Sequence, residues 1–349
     1  MKPNSRIPLA ILAGIAALFS MSPAAPLAGD ANSAAPPKLP ADPFVGEFVG
    51  TFKGDKADAI PAVAKVYFDP KAGAEGGYRA MMYAVDSGLI DHAVIGEKTH
   101  CAYAIPMAGA VTEGKLQLVA SGNWQGVVEG ENCTAGSRAG TFDLRRNQRK
   151  SPTLGAAPPA GAVVLLDYKP GKAPSLAEWT NKKWKAFNDG SMMVTEDDNY
   201  TVRTFRNFRL HAEFMVVCGP KGGGNSGFYL LDRYEVQVYD SFGRGLDKGN
   251  CAAIYQTIAP SANACLPCGQ WQTYDITFRA AVMDGKTVKK HPRITVVHNG
   301  VTVHDDVEIP HATGVAQARG DVPEGPIMLQ DHNSPDRFRN IWLVEIAAQ

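Results

Sequence analysis

The chain has 349 residues, with 35 Lys and Arg against 35 Asp and Glu, and a zero formal net charge gives no support to a nucleic-acid or anionic-membrane partner. Hydrophobic residues make up 45% and charged residues 20%, which excludes a disordered, collagenous or coiled-coil chain. The 35 Gly and 24 Pro punctuate short runs rich in Val, Tyr, Phe and Thr, so the chain reads as all-β and long enough for two domains.

Lys2 and Arg6 precede an uncharged apolar stretch over residues 7–19, and Ser22-Pro23-Ala24 supplies small residues for cleavage. This is the pattern of a signal peptide over residues 1–24. The apolar run is shorter than the roughly 20 residues that span a bilayer. A cleaved leader, a periplasmic or extracellular location and no membrane partner after cleavage are therefore expected. Residues 25–43, dominated by Ala, Pro, Asn and Gly, read as an extended linker. In an oxidising compartment the 6 cysteines become informative. Cys101 and Cys133 lie in the first half, and Cys218, Cys251, Cys265 and Cys268 in the second, so disulfides formed within each half are expected. Cys265-x-x-Cys268 lacks the second CxxC or close His pair that a zinc knuckle needs.

From residue 44 the pattern is one of short β-runs, over residues 45–52, 62–68, 78–85, 115–119 and 140–144, parted by Gly-containing turns. Residues 44–147 thus read as a small β-rich accessory domain without a chemical cluster. Residues 148–161 read as an exposed Pro-rich linker, bearing part of a basic patch (Arg145, Arg146, Arg149, Lys150) and Pro152, Pro158 and Pro159. In residues 162–349 the strands are clearer. Phe208, Leu210, Ala212 and Phe214 alternate with Arg209, His211 and Glu213, and His211 is expected as a solvated surface group. Further strands follow at residues 228–231 and 234–239. Asn299-Gly300 between two β-runs is a hairpin signal, because both residues tolerate positive φ. Strands at this spacing predict a two-sheet sandwich.

In Tyr234-Glu235-Val236-Gln237-Val238-Tyr239, alternation puts Glu235 and Gln237 on one face and the valines on the other. Gln330 and His332 share a face in the same way, as do Arg337 and Arg339. If these strands lie on one sheet, they surround a polar pocket suited to a sugar with a carboxylate, an imidazole and a guanidinium. Gly222-Gly223-Gly224-Asn225-Ser226-Gly227 lacks the Lys-Ser/Thr ending of a phosphate loop, and no helix pattern follows it. It fits better as a Gly-rich connection into a strand, with Asn225 able to touch a ligand. Ser226 is not in a Gly-x-Ser-x-Gly elbow, which leaves a Ser-His-Asp site unsupported.

The ordered series Gly224-Asn225-Ser226-Gly227-Phe228-Tyr229-Leu230, Tyr234-Glu235-Val236-Gln237-Val238, Ala253-Ile254-Tyr255, Trp271-x-x-Tyr274-Asp275-Ile276, His298-Asn299-Gly300-Val301, Leu329-Gln330-Asp331-His332 and Phe338-Arg339-Asn340-Ile341-Trp342 resembles the 3-keto-disaccharide hydrolase domain family over about residues 162–346. That resemblance implies a concanavalin A-like jelly roll and cleavage of glycosides whose sugar is already oxidised at C3. A ketone at C3 acidifies the C2 proton. A base can then remove it, the enolate can expel the C1 oxygen substituent, and water can add to the product. Glu235, His332 and Arg339 are the expected catalytic groups, and Asn225, Gln237, Tyr255 and Gln330 the expected substrate contacts. Glu235, Asp240 and His332 are candidate ligands for a divalent cation of open identity. The competing readings are a carboxylate-pair glycosidase using Glu235 and Asp240, which their spacing on a strand disfavours, and a carbohydrate-binding module without catalysis.

Overall fold

The computed structural model describes residues 35–36, 42–55, 58–72, 77–87, 94–218 and 223–347; the expected leader, and all but residues 35–36, 42 and 43 of the linker after it, lie outside them. None of the helices among the described residues is long and apolar enough to cross a membrane. The described residues make one compact unit.

Alternating apolar and polar residues in the first half curl a sheet onto itself. Strands β1 (Gly46–Gly54), β2 (Ile60–Asp69), β3 (Gly77–Ser87), β4 (His100–Thr112), β5 (Lys115–Ala120), β6 (Trp124–Glu129), β7 (Asn132–Ser137) and β8 (Gly140–Asn147) pair in sequence order, and β8 closes the barrel on β1. In β8, Phe142 and Leu144 point inward while Thr141, Asp143 and Arg145 face out. With Phe48, Met82 and Leu116 they fill the interior, so closure leaves an apolar core and no unpaired sheet edge. Cys133 lies inside this core and Cys101 on β4, unpaired, so the disulfide expected between them is not formed. Alternation marks five of the eight strands. It misses β4, β6 and β7, where Gly, Ala, Asn or Pro interrupt the pattern.

The second half is a two-layered sandwich. One layer has the order β10 (Lys185–Ala186), β11 (Met192–Met193), β22 (Arg337–Glu345), β13 (Phe208–Met215), β16 (Trp271–Arg279), β19 (Arg293–His298) and β20 (Val301–Glu308), with β9 (Val163–Leu166) also paired to β22. The other has the order β12 (Asn199–Tyr200), β21 (Met328–Leu329), β14 (Asn225–Leu230) and β15 (Tyr234–Tyr239). A small hairpin, β17 (Val282–Asp284) with β18 (Thr287–Lys290), stands apart. The layers meet through aromatic residues: Phe228 packs edge-on to Phe338 at 5.3 Å, and Tyr234 against Phe278 at 5.5 Å. Each such pair adds roughly 1 kcal/mol beyond the area it buries. The predicted hairpin forms between β19 and β20, with Asn299 and Gly300 at φ of 52° and 83°.

Barrel and sandwich are joined by buried charge. Lys65 of β2 and Glu47 of β1 form an ion pair, Arg149 Nε lies 3.7 Å from Glu47, and Arg149 Nη2 donates to the Ala264 and Cys265 carbonyls at 3.0 and 3.2 Å. Lys65 also sits over the Phe242 ring. Burial, with Arg149 nearby, lowers its pKa to about 8 against the pull of Glu47. The connection after β8 is therefore not an exposed linker. Arg149 and Ser151 are buried, Ser151 hydrogen-bonds Thr273 at 2.6 Å, and Gly155 N–H donates to Glu213 at 2.5 Å, so the segment is tacked across the outer face of the larger sheet.

A candidate active site on the smaller sheet

Strand alternation and hairpin register build this site. Val236 and Val238 enter the core, which leaves Glu235, Gln237 and Tyr239 on the outer face of β15. Across the β14–β15 pairing Tyr229 stands opposite Glu235, Gly227 opposite Gln237, and Asn225 opposite Tyr239. β21 adds Gln330 alongside, its N–H bonded to the Gly227 carbonyl at 3.0 Å. A Cβ at position 227 would lie 2.6 Å from the Glu235 carboxylate, so glycine is what lets Glu235 lie flat against its neighbouring strand.

The polar groups on this face form a chain. Gln330 Nε2 donates to the Tyr229 hydroxyl at 3.3 Å, and Tyr229 stands across the register from Glu235 and influences its proton affinity. Glu235 is 1% exposed, and burial raises its pKa to about 7 despite the opposing effect of the Tyr229 hydroxyl. Burial and the adjacent Glu235 charge push the Tyr229 phenol far above its ordinary value, so it remains a proton donor. One oxygen each of Glu235, Gln237 and Asn225 is buried without a hydrogen-bond partner among the described residues. Three convergent acceptors of this kind are matched by a ligand rich in hydroxyl donors.

Beside them opens a cavity of about 560 Å³, lined by Asn225, Gln237, Tyr239 and Tyr255 from the sheet side and by the segment from Arg244 to Asn250. Its volume suits a mono- or disaccharide. Gly243, at the root of that segment, lies against the Tyr67 ring of the barrel, and a second small cavity between Lys65, Tyr83 and Arg244 marks the seam. The barrel thus buttresses one wall of the site.

The structure brings Glu235, Gln237, Asn225, Tyr255 and Gln330 together; it does not bring the other expected groups to this face. Arg339 is on β22 of the opposite sheet, where its Nε donates to Glu213 at 2.7 Å and its guanidinium stacks 4.0 Å from Trp271 and 4.3 Å from Tyr168. The chain changes sheets between Gln330 and Arg337, and local alternation carries no trace of that crossing. His332 is exposed on the intervening loop. Asp240 follows β15 on the core-side parity, and its carboxylate accepts the Gly223 N–H at 3.4 Å. Glu235, Asp240 and His332 therefore form no convergent set of cation ligands. Among the described residues the one such grouping is Cys218, Asp240 and Cys268, and its two sulfurs are joined in a disulfide and offer no thiolate. As placed here, Glu235, Asp240 and His332 do not fit a shared divalent cation.

Three groups that sequence reasoning passes over belong here. Tyr229 and Asp198 share the Glu235 face: Tyr229 through the register, and Asp198 through an oxygen that accepts the Asp331 N–H at 2.8 Å and a charge felt by Tyr229. Arg244 is the third, the one arginine lining the cavity. The common parity of Asn225, Gly227 and Tyr229 is the available signal for Tyr229; nothing local marks the other two.

His211 corrects a further expectation. It is buried on the outer face of the larger sheet beneath the segment after the barrel, with Nδ1 2.7 Å from Asp275 and its ring stacked on Trp342. Burial alone would depress its pKa, but the hydrogen bond to Asp275 and the Glu213 carboxylate 3.7 Å from Nε2 raise it to about 8.

The family model described as the 3-keto-alpha-glucoside-1,2-lyase-like domain matches residues 161–344, more than half of the chain. The chain belongs to that family. Two crystal structures of candidate glycosyl hydrolases from Parabacteroides distasonis are similar to it. One is 33% identical over 54% of this chain and 85% of its own, with a TM-score of 0.48. The other is 21% identical over 49% and 95%, with a TM-score of 0.38. No curated protein matches the chain.

Proposed function

We propose that this member of the 3-keto-alpha-glucoside-1,2-lyase-like family is an exported enzyme that cleaves glycosides of sugars oxidised at C3, through C2 proton removal, loss of the C1 substituent and hydration. The observation that carries the reading is Glu235: a buried carboxylate with one unpartnered oxygen, held near neutrality in proton affinity, on a face of convergent acceptors. Such a group takes a proton from carbon and gives it back within one cycle at neutral pH. In the first step the C2–H pair becomes the enolate, whose proton resides on Glu235. Collapse of the enolate breaks the C1–O bond, and the leaving oxygen takes up a proton. Water then adds across the new double bond. In this reading Arg244, in the cavity wall, stabilises the enolate oxygen, with Gln330 as a further donor.

Purified mature protein should release the aglycone from a 3-keto-glucoside and leave the unoxidised parent intact, with or without chelator. Cleavage of the parent would instead support a carboxylate-pair glycosidase, and binding of either without cleavage a lectin.

A further inference from the structure

A second cleft lies at the far end of the larger sheet. Its volume is about 400 Å³, and it is bounded by the residues before β13, the end of β16, the β17–β18 hairpin and the start of β19. Five Lys or Arg side chains line it against one carboxylate, in a chain whose total formal charge is zero. Two of the five are neutralised locally. Lys289 pairs with Asp284 at 3.3 Å, and Arg293 with Asp306 at 3.0 Å and Glu308 at 3.8 Å. Arg206, Arg279 and Lys290 have no carboxylate within ion-pair distance among the described residues.

Two features make this more than a solvated patch. Arg279 stands directly opposite Arg293 in the β16–β19 register, and since the Asp306 and Glu308 carboxylates are taken by Arg293, Arg279 is the cation of the pair left without a counter-charge among the described residues. Arg279 Nε and the neighbouring His291 Nδ1 are also covered from solvent without a hydrogen-bond partner, an unusual state for groups that water would otherwise satisfy. The backbone here is held firmly, since Asn207 accepts the Ala280 N–H at 2.9 Å and its carbonyl accepts the Ile346 N–H at 3.0 Å.

We infer that this cleft is a binding site for a small ligand carrying more than one phosphate or sulfate group, with Arg279 and Lys290 as its principal contacts and Arg206 closing the rim. Guanidinium forks match such tetrahedral oxyanions, and three uncompensated cations from separate segments favour a multivalent ligand over a single ion. The site is on the sheet opposite Glu235, so binding there does not require the active-site reading to be right.

Calorimetric titration of the mature chain with pyrophosphate and, separately, with a trisulfated heparin disaccharide tests this inference and distinguishes the two sources of oxyanion. At least one probe is expected to bind with a stoichiometry of one. Raising the salt to about 0.15 M should weaken it, as screening requires. Arg279→Gln should reduce affinity at least about tenfold, the loss of one charge-assisted hydrogen bond, and Glu235→Gln should leave it unchanged. Lys290→Gln, at an exposed position, gives the same reading should Arg279→Gln fold poorly. Absence of binding by both probes, or binding that neither Arg279→Gln nor Lys290→Gln weakens, would overturn the inference.

Discussion

Replacing Glu235 by Gln keeps the side-chain shape and removes the titration, which makes it the sharpest probe of the candidate site. The folded carboxyl titrates near 7 against an ordinary value of 4.5. Because its folded pKa is raised, its contribution to stability is full below pH 4.5 and is lost as pH rises through about 7. The loss is on the order of 3 kcal/mol, from about 1.4 kcal/mol per pKa unit. Glu235→Gln has no such term. Thermal melts of the two proteins across this range should therefore diverge, with the variant gaining on the parent by a few degrees toward pH 8. The same substitution should lower turnover of a 3-keto-glucoside by about 10²- to 10⁴-fold, as loss of a positioned base does. A melting difference that stays flat with pH would refute the buried, proton-holding environment assigned to Glu235, and undiminished turnover would remove it from the chemistry.

Tyr229→Phe removes the hydroxyl that lowers the Glu235 pKa, so the acidic limb of the rate profile, set by deprotonation of the base, should move alkaline by up to about one unit, with activity recovering at higher pH; an unmoved profile would show that the two groups do not interact. The raised pKa of His211, about 8 against 6.5, contributes on the order of 2 kcal/mol that is present below pH 6.5 and lost as pH rises through 8. Denaturant melts of His211→Gln should accordingly show a larger stability deficit at pH 6 than at pH 9. Cys218 and Cys268, 50 residues apart, close a loop that stabilises the fold by about 4 kcal/mol in the chain-entropy account. Thiol titration in denaturant should find four free thiols before reduction and six after; six before reduction would mean that the bond does not form.

The polar face of β15 is legible in the sequence because alternation is enforced by burial. Val236 and Val238 must enter the core, so Glu235 and Gln237 must leave it. Gln330 is legible in kind, as a polar residue near a strand, and β21 does place it beside Tyr229. Arg339 is not, because alternation within β22 fixes which side of a sheet a residue takes but says nothing about which sheet the strand joins. His211 shows the same limit. Its parity follows from alternation, yet its burial does not, because the cover comes from residues 151–156, far away in sequence. Arg149, in a stretch whose composition suggests a linker, is buried for the same reason.

By itself, then, the sequence determined the all-β class, the family, the strands whose alternation is strong and the polar face that carries Glu235, since each of these follows from the period of a strand or an ordered run of motifs. Only the tertiary structure decided the rest. Closure of the barrel, the buttress it gives the cavity wall, the entry of Tyr229, Asp198 and Arg244, and the removal of Arg339 to the opposite layer all depend on which distant segments share a surface, and no local period encodes that.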